Sequence, residues 1–237
     1  ISSYSLIKES IDARDKGDIK LVYSVDFEVA DDVKLKLDEA PDMSYKQVNP
    51  GTVNMENRPV IVGFGPAGMF AGLILAMQGY KPLIIERGKS VDQRIKDVKE
   101  FWEKGILNEN SNVQFGEGGA GTFSDGKLTT GIKDPRARKV IEEMVEASAP
   151  SDILFKQKAH IGTDVLRVVV SNIREKIIKF GGEIRFETRL LELITKDDQI
   201  CGIKVCKENN EIAEIATENL ILAIGHSARD TFRTLNA

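Results

Sequence analysis

The feature that most constrains this chain is a glycine spacing that directly follows a short run of β-branched residues. Residues 60–62 are Val-Ile-Val, which is typical of a buried parallel strand, and Gly63-x-Gly65-x-x-Gly68 comes next. A helical pattern then covers residues 67–78. Gly63 permits the tight turn out of the strand, Gly65 lets a phosphate approach the backbone, and Gly68 lets the helix lie close to the strand. The positive N-terminal end of that helix would face the phosphates.

A second strand predicted at Pro82–Glu86 places an acid where a dinucleotide site needs one. Glu86 lies 18 residues after Gly68, near the spacing of about 20 at which an acid binds a ribose 2′-hydroxyl. An acid there repels a 2′-phosphate, which disfavours NADP. The alternative is a glycine-rich turn in some other α/β protein with an incidental acid. We favour a dinucleotide-binding site because strand, turn, helix and acid occur together.

Composition excludes several functional classes. The 237 residues carry a net charge of −4, so there is no basic footprint for nucleic acid. Two cysteines make no disulfide framework, and a cytoplasmic, reducing compartment is expected. Residues 59–80 carry no charge, but their glycines and prolines are better explained by the strand, turn and helix than by a membrane span. No signal peptide is visible, and no membrane partner is expected.

A second glycine-rich stretch runs from Asn112 to Leu128. Five glycines lie between Gly116 and Gly126, which excludes a regular element. One interpretation is a flexible loop. The other is a shaped backbone surface, because Phe115, Phe123 and Leu128 are interleaved as apolar anchors. We favour the second, in which backbone N–H groups contact a phosphate chain or a flat ring.

The remaining pattern predicts an α/β fold with a parallel central sheet and a three-stranded antiparallel meander. Strands are expected at Ser5–Ile11, Ile19–Val29, Ile184–Phe186, Leu190–Ile194, Ile200–Cys206, Glu211–Ala216 and Leu220–Ile224. Helices are expected at Val33–Leu37 (capped by Asp31 and Asp32), Val91–Gly105, Arg138–Ala147 and Thr163–Phe180. An ordinary βαβ unit would return through a helix, so the meander before the last strand is a topological signature.

These features together resemble the FAD-binding domain of the glutathione-reductase-like flavoproteins, which have two dinucleotide-binding domains. The stretches Val60–Gly72, Asn112–Leu128 and Gly225–Asp230 most resemble a bacterial group of FAD-dependent, or NAD(FAD)-utilising, dehydrogenases. The resemblance implies a Rossmann-like FAD-binding domain over residues 51–237, incomplete at its C-terminal end. Residues 1–50 would be a small α/β piece, a truncated ferredoxin-like unit, and a linker.

The resemblance also implies roles for individual residues. The pyrophosphate would be held by Gly63, Phe64, Gly65, Pro66, Ala67 and Gly68. Glu86 would bind the adenosine ribose with Arg87 beside it, and the backbone of Leu190 would contact adenine. Gly225 would lie where the chain passes close to the cofactor. His226 follows the last predicted strand, at the edge where α/β ligand sites gather, and this position fits a cofactor contact and a loop histidine bonded to backbone equally well. Further residues expected near the phosphates or the flavin are Arg94, Gly121, Thr122, Ser124, Asp125 and Lys127.

The activity implied is that of an FAD-dependent oxidoreductase, with NADH or NADPH as a possible electron donor and a small-molecule substrate or redox partner. Flavoprotein monooxygenases and geranylgeranyl-reductase-like enzymes are alternatives, as is a non-catalytic or RNA-associated flavin module, which the acidic balance disfavours. The relatives carry a second FAD fingerprint nearer their C-terminus, so this chain is expected to hold FAD weakly or not at all and to lack the catalytic residues.

Two other candidate sites are disfavoured by their spacing. Cys201 and Cys206 have the separation of a redox disulfide, but five residues along one strand place them on opposite faces, so they cannot pair. The chain has two histidines, His160 and His226, which are too far apart in sequence to indicate a metal site.

Overall fold

The computed structural model describes residues 1–30, 33, 36–124, 126–128, 134–156 and 159–236. Its strands are β1 (Ser3–Asp12), β2 (Lys20–Glu28), β3 (Val60–Val62), β4 (Leu83–Ile85), β5 (Glu183–Arg185), β6 (Thr188–Lys196), β7 (Gln199–Lys207), β8 (Ile212–Ala216) and β9 (Leu220–Leu222). Its α-helices are α1 (Pro66–Met77), α2 (Val91–Lys104), α3 (Arg136–Glu146), α4 (Thr163–Lys179) and α5 (Arg229–Leu235). Short 3₁₀ helices cover Ala120–Phe123 and Ser151–Leu154.

The central element is a parallel sheet in the order β5-β4-β3-β9. Val60 pairs with Leu83 on one side and with Leu220 on the other, so β3 lies inside the sheet and is fully buried. A strand buried on both faces needs an uninterrupted apolar run, which explains the β-branched residues at 60–62. The predicted strand, turn and helix at the start of this sheet are therefore confirmed.

The two faces of the sheet follow the two-residue period of its strands. Ile61 and Ile84 point to the layer formed by α1 and α4 and join the larger apolar core there. Their neighbours Val60, Val62 and Ile85 point the other way, against apolar side chains of the meander. The meander, β6-β7-β8, is antiparallel throughout, as the sequence predicted. It covers that second face of the sheet.

Glycines set the distance between α1 and the sheet. Gly63 has a φ of 101°, in the region that disfavours any side chain. A Cβ on Gly68 would overlap the carbonyl oxygen of Gly63, and one on Gly72 would overlap the side chain of Ile84. The first turn of α1 therefore packs directly on the backbone of the turn that precedes it.

The first two strands form a separate antiparallel hairpin with an irregular register between Leu6 and Lys8. It joins the rest of the molecule where the N–H of Glu9 donates to the carbonyl of Phe155 at 2.8 Å. The helix expected at 33–37 includes residues 34 and 35, and its capping aspartates are 31 and 32. These four residues lie outside the described part of the chain.

Three smaller findings complete the comparison with the sequence. The 3₁₀ helices and α5 were not predicted, because each is a few residues long and carries little periodicity. Cys201 and Cys206 are free thiols on β7. Within the described ranges, none of the helices combines the length and the apolar character needed to cross a bilayer.

We predict that Gly68→Ala lowers the free energy of unfolding by about 3 kcal/mol, at the upper end of overpacking effects, because the new methyl group meets a backbone oxygen that cannot move aside. Urea unfolding measures this. The matched control is Gly65→Ala, whose Cβ meets its nearest neighbour, the Cα of Gly119, at 3.8 Å. It should change stability by no more than about 0.5 kcal/mol. Equal losses in the two variants would contradict this account of the packing.

Candidate functional site

A cavity of about 820 Å³ opens at the carboxyl ends of β3, β4 and β9. Parallel sheets bind ligands at this edge, and the volume lies within the range of about 300–1,000 Å³ usual for ligand sites. Its wall is built from parts of segments 62–67, 85–87, 114–121, 188–190 and 222–235. Both glycine-rich stretches therefore border one cavity, together with the start of the meander.

The N-terminus of α1 lies on this wall. Gly65 is the N-cap residue, Pro66 begins the helix, and both line the cavity with Ala67. The first turn holds no acidic residue, and no side chain caps it. The N–H groups of a first helical turn have no partner within the helix, so this end is suited to an anion.

The carboxylate of Glu86 holds three segments of the site together. It is 5% exposed and lines the cavity. One oxygen accepts from the N–H of Phe64 at 2.7 Å, and the other accepts from the N–H groups of Gly88 at 2.8 Å and Gly116 at 3.0 Å. Glu86 lies beside the first glycine turn, as expected, and it also organises the protein backbone, which the sequence did not predict.

The second glycine-rich loop packs directly on the first. The N–H of Gly118 donates to the carbonyl of Phe64 at 2.8 Å, and a Cβ on Gly119 would come within 3.1 Å of the Cα of Gly65. The predicted anchors Phe115 and Phe123 are half-buried. The interpretation as a shaped backbone surface fits this arrangement better than that of a flexible loop.

Arg94 has a different role from the one expected. Its side chain is fully buried behind the loop, away from the cavity wall, and donates to the carbonyl oxygens of Asn112, Val113 and Glu117 at 2.7–2.9 Å. Burial lowers the pKa of Arg94 to about 10, although nearby carboxylates act in the opposite direction. Its guanidinium also lies 4.8 Å from the ring centre of Phe123. Arg94 therefore positions the loop and does not face a ligand.

Glu117 anchors the same loop from a fully buried position. One oxygen accepts from the N–H of Val91 at 2.7 Å and from Arg174 at 2.6 Å, and the other oxygen has no hydrogen-bond partner among the described residues. Burial raises the pKa of Glu117, and the contacts with Val91 and Arg174 only partly offset that effect. The loop is thereby joined to α2 and α4.

A group that sequence reasoning missed lies at the end of the cavity next to Glu86. Asp230 on α5 accepts from Arg87 at 2.9 Å with both carboxylate oxygens and from Arg189 at 3.3 Å. Burial acts to raise the pKa of Asp230, but the hydrogen bond from Arg87 and further contacts outweigh it, and the net shift is downward. Arg87 also lies over the ring of Phe115, 4.5 Å from its centre. No local pattern links these residues, because they come from distant parts of the chain.

The other predicted site residues divide into two groups. On the cavity wall, besides those already named, are Gly63, Gly121, Leu190, Gly225 and His226. Behind the wall are Phe64 and Gly68, which are buried, and Thr122, whose hydroxyl donates to the carbonyl of Glu117 at 3.3 Å.

The last three predicted residues lie in or after the second loop. The hydroxyl of Ser124 donates to the carbonyl of Gly121 at 2.8 Å, so it closes the loop on itself. Lys127 pairs through its backbone with His160 in an isolated antiparallel bridge. Asp125 lies outside the described residues. Across the described ranges, no three His, Cys, Asp or Glu side chains are grouped so that they could hold a metal ion.

Comparisons with known proteins support the fold. No family model matches the chain. A curated protein of Clostridium beijerinckii, described as uncharacterized, is 49% identical over 242 residues, which cover 99% of this chain and 44% of that protein. The chain thus spans less than half the length of this curated relative.

Among solved structures, THI4 of Thermovibrio ammonificans has a TM-score of 0.50 at 19% identity, covering 76% of this chain and 61% of that one. A flavoprotein/dehydrogenase from Cytophaga hutchinsonii has a TM-score of 0.47 at 14% identity, covering 76% and 42%. The predicted fold class, a Rossmann-like α/β domain with a parallel sheet and antiparallel sheets, is confirmed.

We predict that Arg94→Met lowers the free energy of unfolding by about 3 kcal/mol, because one buried and two partly buried carbonyl oxygens lose their donor at a cost of about 1–3 kcal/mol each, partly offset by water. Urea unfolding gives the stability, and limited proteolysis within 112–124 reports loosening of the loop. The matched control is Arg138→Met, which removes a half-exposed pair with Glu142 and should cost less than about 1 kcal/mol. An intact, protease-resistant loop in Arg94→Met would contradict the assigned role.

The raised pKa of Glu117 predicts a pH dependence with a definite sign. The folded protein holds this proton more tightly than the unfolded chain does, so the group's contribution to stability decreases as pH rises from about 4.5 through the folded pKa. Glu117→Gln lacks this titration. The unfolding free energy of the parent minus that of Glu117→Gln should therefore decrease over this interval in urea unfolding. A difference that increases with pH would show the opposite shift.

Proposed function

We propose that this chain is the FAD-binding portion of a flavin-dependent oxidoreductase of the dehydrogenase type. The observation that carries the proposal is the environment of Gly65. Its φ of −72° is accessible to any residue, and a Cβ there would meet no atom of the described protein within 3.8 Å. Neither backbone strain nor protein packing therefore requires glycine at this cavity-lining position. We infer that glycine is present because a ligand approaches the backbone closely here.

The neighbouring groups fit a dinucleotide pyrophosphate. The uncapped N-terminus of α1 offers backbone donors and a positive dipole end beside Gly65. Gly121, on the second loop, also borders the cavity, and a Cβ there would likewise meet nothing within 4 Å. The two glycines, one on each loop of the cavity wall, leave room for a phosphate chain close to the backbone.

The end of the cavity beyond the pyrophosphate suits adenosine. Glu86 would accept from the ribose hydroxyls, because a carboxylate oxygen can accept more than one hydrogen bond. Leu190 is buried at the start of the meander and borders the cavity, where it offers backbone and an apolar surface to adenine. Gly225 and His226 border the cavity at the end of β9, beside the first strand of the sheet.

The flavin itself supplies the redox chemistry when it is bound, by accepting and donating a hydride. This chain's residues bind and orient it. We propose NADH or NADPH as the electron donor and a small molecule or redox partner as the acceptor. The two cysteines are free thiols, which fits a reducing compartment, and we propose that the protein is located in the cytoplasm.

The test is a titration of FAD into the chain, followed by quenching of flavin fluorescence. The parent should bind FAD, ADP-ribose should compete, and FMN should not, because the proposed contacts are to the adenosine and the pyrophosphate. Gly65→Ala should weaken binding by about tenfold or more, since its methyl group takes the space that a phosphate oxygen needs at 2.7–2.9 Å from the backbone N–H groups.

The matched control is Gly51→Ala, another glycine without a positive φ, whose Cβ would make only an ordinary contact outside the cavity, 3.5 Å from the hydroxyl of Tyr80. It should bind FAD like the parent. If Gly65→Ala also binds like the parent while circular dichroism shows an intact fold, the pyrophosphate does not lie on this turn. A parent protein that binds neither FAD nor ADP-ribose would overturn the proposed function itself.

A further inference from the structure

Asp230 lies between two arginines on the cavity wall. Both of its oxygens accept from Nη2 of Arg87 at 2.9 Å, and one of them accepts from Nη1 of Arg189 at 3.3 Å. The hydroxyl of Thr231 accepts from the same Nη2 of Arg87 at 3.0 Å. A single carboxylate thus compensates two guanidinium groups that would otherwise both be available to an anion.

Arg87 is held in place from two sides. Its guanidinium stacks over Phe115 of the second glycine-rich loop, and its side chain is 12% exposed. A stacked and paired guanidinium loses little further freedom when it binds another group. Because Arg87 borders the cavity, its charge acts on any ligand there.

These residues lie next to the proposed ribose position. The N–H of Thr188 donates to the carbonyl of Glu86 at 2.9 Å, which brings the start of β6 beside the end of β4. Arg87 follows Glu86 in the chain, and Arg189 follows Thr188. All four residues border the cavity.

Space is available beyond the two arginines. A smaller polar pocket of about 140 Å³ shares Arg87 and Arg189 with the main cavity. Its lining also includes Glu187 and Glu208. Burial, and then the charge and hydrogen bond of Glu208, raise the pKa of Glu187, which is the signature of two carboxyl groups close together. A group larger than a hydroxyl therefore has space at this end of the cavity, but it also meets negative charge there.

We propose that Asp230 is a specificity-determining residue of this cavity: it pairs with Arg87 and Arg189 and lowers their combined positive charge, so that the site favours a dinucleotide with a free ribose 2′-hydroxyl over one that carries a 2′-phosphate. This inference rests on the proposed function, since it assumes that an adenosine ribose lies beside Glu86.

The charge balance gives the direction of the effect. The two arginines and Asp230 together carry a formal charge of +1, and neutralising Asp230 raises this to +2. Two convergent guanidiniums without a carboxylate partner form a strong phosphate site, because each presents paired donors to phosphate oxygens. The discrimination therefore depends on charge, with Asp230 adding to the repulsion expected from Glu86, and not on the size of the cavity.

The experiment compares ADP-ribose with 2′-phospho-ADP-ribose, two probes that differ only in the 2′-phosphate, by isothermal titration calorimetry on the whole chain. The parent should bind ADP-ribose more tightly. Asp230→Asn, which is nearly isosteric, should shift the affinity ratio toward the phosphorylated probe by about tenfold, the size of one charge-assisted hydrogen bond. Asp230→Glu retains the charge and should retain the preference of the parent.

The matched control is Asp92→Asn, which makes the same change in net charge at an exposed position on α2. It should leave the ratio unchanged, which separates a local effect from a general one. Circular dichroism checks folding, and Asp230→Ser carries the test if Asp230→Asn does not fold. An unchanged ratio in a folded neutral variant, with ADP-ribose still bound by the parent, would overturn this inference alone. Failure of the parent to bind ADP-ribose would overturn the proposed function and this inference with it.

Discussion

The site depends on one buried carboxylate, that of Glu86. A charge removed from water is costly unless hydrogen bonds replace its hydration, and Glu86 recovers that cost through three backbone N–H groups. Those groups belong to the turn after β3, the turn after β4 and the second glycine-rich loop. None of the three segments could shift without depriving the carboxylate of a donor. This single side chain thereby links the two glycine-rich stretches to each other and to the end of β4.

The same logic explains why a loop with so many glycines is ordered. Glycine supplies the backbone angles, with φ of 116° at Gly116, but adds no side chain to hold them. Three arginines outside the loop supply the contacts that keep it in place. Arg94 donates to the carbonyl of Glu117, Arg174 pairs with the carboxylate of Glu117, and Arg87 stacks over Phe115. Each of these arginines contacts the loop through a carbonyl, a carboxylate or a ring. Arg94 and Arg174 thus hold the loop from its buried side, whereas Arg87 also borders the cavity in which a ligand would bind.

The parts of the fold that the sequence predicted are those that local periodicity encodes. The apolar run at 60–62, the alternation through the meander and the helical spacing in α4 each report a face buried by neighbours, so the sheet and its meander could be inferred without the structure. Arg94, expected near the phosphates or the flavin, donates to carbonyl oxygens of the loop, and helical spacing does not say on which side of a loop a helix lies. Asp230 was missed as a partner of Arg87 because 143 residues separate them, and no local pattern encodes such a contact.

The distribution of charge along the cavity also positions the phosphates of a dinucleotide bound as we propose. At α1, backbone donors and a first turn without acids favour the doubly charged pyrophosphate. At β4 and β6, the carboxylate of Asp230 pairs with both arginines, so that end attracts phosphate less strongly than two unpaired guanidinium groups would. The charge pattern therefore places the phosphates of a dinucleotide at α1. The ribose and the ribityl chain of FAD are both uncharged and both carry hydroxyl groups, so the direction of the ligand depends on the contacts proposed with Glu86 and Leu190. With the ribose at Glu86, the adenosine would lie toward Leu190, and the flavin would lie toward Gly121 and Gly225.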